Sequence, residues 1–176
     1  MEQCCNSQQH TRPVTLIFKR QELIYDAANY SFVEGDIMKA DEEDARHQVF
    51  DITQTGNIDR VTRVLNLAHA ECVEMLFPYT KEEVSEDQTA LNDVLMAPEE
   101  YQIILNLPEG FSLTTVKLLS HLIHEYLVCR VLADWMSITN RSSQANWEDK
   151  FRELKMKIHT SLVSRTGKKR RKCKPF

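Results

Sequence analysis

Residues 112–138 read SLTTVKLLSHLIHEYLVCRVLADWMSI. Val116, Leu118, Leu119, Leu122, Ile123, Tyr126, Leu127, Val131, Leu132 and Trp135 fall at helical spacings and cover more than half the circumference of the helix they would form. A helix apolar over that much of its surface has neighbours on several sides, so it is expected to be the central, most buried element. Ser112 is placed to cap its start.

Working outward on the C-terminal side, Thr139 to Ala145 reads as a turn, and Asn146 as the cap of a final helix with Asp149 in its first turn. Trp147, Phe151, Leu154, Ile158 and Leu162 give that helix one narrow apolar stripe, and Gly167 ends it. On the N-terminal side, Tyr101 to Leu107 reads as a strand closed by Pro108 and Gly110. Residues 81–93 are polar and acidic, as expected of a surface loop. Asn57 is expected to cap an amphipathic helix whose Val61, Val64, Leu65, Ala68, Cys72, Met75 and Leu76 recur at three- and four-residue steps until Pro78 stops it. A short helix running to about Phe50 precedes it. Leu23, Ile24, Ala27 and Tyr30 predict a helix from Gln21 to about Gly35, and Val14 to Phe18 a strand after Pro13. The two strands lie far apart in sequence and can pair within one chain or between copies.

The expected fold is therefore mainly α, a helical bundle with a small β-ribbon and extended N- and C-terminal arms. Residues 1–12 read as a flexible arm, 13–166 as a single α-rich domain and 167–176 as a basic tail. With 176 residues, 42% hydrophobic and 27% charged, the composition excludes a fully disordered or collagen-like chain. A chain of this length buries roughly 70% of its unfolded surface and needs no disulfide or metal to hold a core. Cys4, Cys5, Cys72, Cys129 and Cys173 form no CxxC pair, which points to a reducing compartment. The N-terminus carries no signal-peptide pattern and the apolar runs are interrupted by charge, so no membrane association is expected.

The net charge of −4 hides a division. Residues 1–149 hold 11 Lys/Arg against 25 Asp/Glu, whereas residues 150–176 hold 11 against one. Lys168, Lys169, Arg170, Arg171, Lys172 and Lys174, with Arg165, put seven positive charges in the last twelve residues. Such a segment neutralises phosphates without reading bases, so its expected partner is DNA or the acidic surface of a neighbouring copy. No aromatic side chains interleave these charges, which argues against a stacking platform for single strands.

No catalytic motif emerges. His121 and His124 lie three apart with Glu125 after the second, and neither the zinc-protease order nor its inverse is met. His69 and Cys72, also three apart, could join them in a four-ligand site, but Cys72 belongs to the apolar stripe of its helix, where a thiol is ordinarily a small hydrophobe. Walker, GxGxxG and GxSxG patterns are absent, and no cofactor is expected. Arg130 and Asp134, four apart on the central helix, read either as an internal ion pair or, with Trp135, as anchors of a subunit interface.

Residues 29–36 (NYSFVEGD), 47–52 (HQVFDI), 57–67 (NIDRVTRVLNL), 122–135 (LIHEYLVCRVLADW) and the ending KPF resemble, together, small uncharacterised virion structural proteins of tailed phages and prophages of anaerobic gut bacteria. Proteins of that kind look like neck components: head-tail connectors, stoppers or tail-completion proteins. The resemblance implies a non-enzymatic ring-forming subunit that contacts copies of itself, portal and tail proteins, located in the virion and assembled in the host cytoplasm. The alternative is a DNA-associated accessory protein, encoded by a phage or mobile element, that dimerises through its helices and binds phosphates through its tail.

Overall fold

The computed structural model describes residues 11–38, 43–77, 79–80 and 97–163, with the side chains of residues 43–45 and 163 excepted. Among the described residues the elements run β1 (Thr11–Lys19), α1 (Arg20–Ile37), α2 (Glu43–Phe50), a 3-10 turn (Asp51–Thr53), α3 (Thr55–Met75), β2 (Glu100–Pro108), α4 (Leu113–Thr139) and α5 (Arg141–Val163). The molecule is mainly helical with a small two-stranded sheet.

The central helix is α4, as its sequence requires. Leu119, Ile123, Leu127, Cys129, Leu132 and Met136 are wholly buried, and they point in several directions around its axis. Its partners succeed one another around it. On one side α5 lays its stripe of Trp147, Leu154, Ile158 and Leu162 into the core. Helix α1 follows, tied to α5 by the edge-on contact of Tyr30 with Trp147 and by the bond from Ser143 Oγ to Glu34. The ribbon comes next, and α3 beyond it, joined by Tyr101 Oη donating to Asn66 Oδ1 at 2.7 Å.

β1 and β2 pair antiparallel within the one chain, with Leu16 opposite Ile103 and Phe18 opposite Tyr101. The period-2 alternation of a half-buried ribbon explains the register: these four side chains are buried on one face, while Thr15, Ile17 and Gln102 face out. β1 begins at Thr11, so two residues assigned to the arm belong to the strand.

Three boundaries differ from expectation. Asn57 does not cap α3. Gln54, in extended conformation, holds that position, and Asn57 in the first turn sends Nδ2 back to the carbonyl of Asp51 at 2.9 Å. The 3-10 turn causes this by presenting the Asp51 carbonyl beneath the helix start. Asn146 does not cap α5 either, because that helix begins at Arg141 and only Asn140 separates it from α4. Asn140 makes so short a connection workable: its backbone carbonyl receives the Ser143 N–H, and its side chain bonds both Ser142 and Ser143 hydroxyls. Met75 ends α3, while Pro78, the expected stop, lies outside the described residues. So do the acidic segment 81–93, Gly167 and the tail. Among the described residues no helix is long and apolar enough to cross a membrane.

Candidate functional site

The residues singled out on α4 are built into its contact with α3. Arg130 and Asp134 do not pair with each other. The antiparallel α3 offers each a closer partner: Asp134 Oδ2 accepts from Arg60 Nε and Nη2 at 3.1 and 2.9 Å, and Arg130 Nε lies 3.5 Å from Glu71 Oε2. The same Glu71 oxygen accepts from Tyr126 Oη at 3.0 Å, and the Arg130 guanidinium sits 5.7 Å from the Phe151 ring of α5. Burial, then the bond to Glu71 and its charge, push the Tyr126 phenol up, so it stays protonated and donates. Glu71, Tyr126, Arg130, Asp134 and Phe151 line an open polar groove of about 580 Å³ between α3 and α5. Trp135 faces the opposite way. It is buried, and its Nε1 donates at 3.0 Å to the carbonyl of Val49, which also accepts the Ser31 hydroxyl. Trp135 therefore joins α4 to α2 in the core of one chain.

The histidines are held apart in separate contacts. His121 is exposed, His124 Nε2 lies 2.7 Å from Asp26 Oδ2 on α1, and His69 Nε2 lies 3.0 Å from the Gln102 carbonyl on β2. A carbonyl only accepts, so His69 carries its proton on Nε2. Burial lowers the His69 pKa, and the bond to Gln102 opposes that shift. Cys72 and Cys129 are buried in the core, where burial pushes the thiols up to about 12 and about 11. Both are protonated and unreactive near neutrality. Among the described residues no three His, Cys, Asp or Glu side chains come together to hold a metal ion. The basic set Lys168, Lys169, Arg170, Arg171, Lys172 and Lys174 lies outside the described residues.

Among the described residues, α1 and α5 each carry an outward apolar surface. Helix α1 is apolar on both faces: Leu23, Ala27, Ser31 and Gly35 are buried, while Tyr25, Phe32, Val33 and Ile37 are 67, 59, 54 and 77% exposed. At 100° per residue those four fall within a sector of about 140°. The second surface is on α5, where Met156, opposite the buried stripe, is 70% exposed. It stands between two shallow apolar hollows of about 420 and 510 Å³, the first floored by Leu118 and Leu122 of α4.

No family model, curated protein or solved structure matches the chain. Neither surface stands out from a search for single stripes, because one stripe per helix already accounts for the core. The signal for α1 was the remainder: four large apolar side chains left over once Leu23 and Ala27 were assigned inward.

Proposed function

We propose that this chain is a non-enzymatic structural subunit of a tailed phage or prophage particle, forming a ring with copies of itself as a head-tail connector or tail-completion component of the neck. In this reading it needs no cofactor, meets portal and tail proteins through the ring, and resides in the virion after assembly in the host cytoplasm. The observation that carries the proposal is the pair of unlike apolar surfaces on α1 and α5. A rotationally closed ring needs two different patches on every subunit, whereas a twofold dimer needs one that matches itself. Monomeric proteins seldom leave large apolar side chains grouped in the open. The basic tail adds a reach toward DNA or the next acidic body, and its seven positive charges also favour the DNA-associated accessory reading.

Particles banded on a density gradient from the strain that encodes the chain test virion membership. Mass spectrometry is expected to find the chain at a constant ratio to the portal protein across the band. Its confinement to the soluble fraction would contradict the proposal.

A further inference from the structure

Resting on the ring reading, we infer that the joint between neighbouring copies is the outer face of α1 seated on the outer face of α5. The occupant of each surface is thus the other surface on a second copy of this chain. Shape and polarity match first. Tyr25, Phe32, Val33 and Ile37 make a ridge about 18 Å long at 1.5 Å per residue. The α5 face offers hollows on both sides of Met156, one of them opening onto Leu118, itself 51% exposed. A ridge of large side chains beside paired hollows is the geometry by which two helices interdigitate.

Charge then selects which surface meets which. Helix α1 carries Glu22, Asp26, Glu34 and Asp36 against Arg20 alone. Helix α5 carries Arg141, Lys150, Arg152, Lys155 and Lys157 against Glu148, Asp149 and Glu153. Several of these are engaged already: Lys19 pairs with Glu22, His124 with Asp26, Arg46 with Asp36, Arg152 with Glu148 and Asp149, and Lys157 with Glu153, and the Ser143 hydroxyl bonds Glu34. With Lys19 and Arg46 included and histidine counted as neutral, α1 keeps one net negative charge, and α5 with all its own pairs keeps two net positive charges. Lys155, on the α5 face, has no ion-pair partner among the described residues. Packing α1 on α1, or α5 on α5, would set like charges against each other, and α1 on α5 sets unlike ones. The contact is therefore head-to-tail, the kind that propagates until a rotation closes it.

Two single substitutions at exposed positions, Val33→Glu on α1 and Met156→Glu on α5, test the joint. Each leaves the other surface intact, and thermal melting verifies that each variant keeps its fold. Light scattering after size exclusion is expected to show each variant alone at the monomer mass of 20.5 kDa. An equimolar mixture is expected to show a one-to-one heterodimer, because one intact α1 face meets one intact α5 face and nothing further can add. If the wild type is large but either variant keeps its mass, or if the mixture stays monomeric, the joint lies elsewhere while the ring reading stands. A wild type that is monomeric throughout overturns both.

Discussion

Replacing Trp135 with Ala is expected to destabilise the protein by about 3–5 kcal/mol, the cost of truncating a large aromatic in a packed core. The ring is 6% exposed and reaches from α4 to α2, where its Nε1 and the Ser31 hydroxyl meet at one acceptor, the Val49 carbonyl. Val49 and Ile52, both buried, pack in the same core. Truncation removes the ring from this core and one of the two hydrogen bonds that the Val49 carbonyl accepts. For a chain of this length the melting temperature should fall by roughly 10 °C. Trp135→Phe keeps most of the apolar volume and loses the donor, so it should cost less than the Ala variant, with about 1 kcal/mol of its loss from the hydrogen bond. A change within about half a kcal/mol for Trp135→Ala, the range of surface substitutions, would mean the ring is exposed in solution.

Gly35→Ala is expected to destabilise by about 1–3 kcal/mol although Ala is the better helix former. In an exposed helix interior the exchange gains about 1 kcal/mol. At Gly35 the added methyl would overlap the Phe50 ring, two further atoms of which lie 2.9 Å from its position. The ring cannot yield freely, because it stacks on Phe32 with centroids 5.2 Å apart and meets His47 on another side. The Gly35 carbonyl also holds Arg46 Nε at 3.0 Å, so α1 and α2 cannot separate without losing that bond. Overpacking therefore outweighs the propensity gain. Chemical denaturation distinguishes the two signs directly, and a more stable variant would show that the seam between α1 and α2 is looser than described.

The parts of the fold legible from sequence were those where a single face decides burial. The wide apolar surface of α4 could belong only to a helix packed on several sides, and the stripe of α5 names Trp147, Leu154, Ile158 and Leu162, which are buried, and Phe151, which is half-buried against them. The strands were visible as short β-branched and aromatic runs, but nothing local says whether two segments some ninety residues apart pair within one chain. That pairing is fixed by the tertiary match of Leu16 and Phe18 with Ile103 and Tyr101. The starts of α3 and α5 were misplaced because polar residues suit both caps and first turns. Asn57 satisfies a carbonyl rather than an N–H, and the run from Arg141 to Ala145 is helix facing solvent. The charged groups of α4 were found, but their partners were not, since Arg60 and Glu71 reach Asp134 and Arg130 only through the antiparallel packing of α3. The outer face of α1 is not legible as a stripe because its apolar residues interleave with the buried ones.

In the proposed ring, unlike surfaces drive closed self-assembly. Solution mass of the wild-type chain, measured by light scattering after size exclusion over a range of concentrations at low and high salt, tests it most directly. A single closed species of six or more copies, constant in mass once formed, is the expected result. A stable dimer whose mass changes only when duplex DNA is added would contradict it and favour the DNA-associated accessory reading.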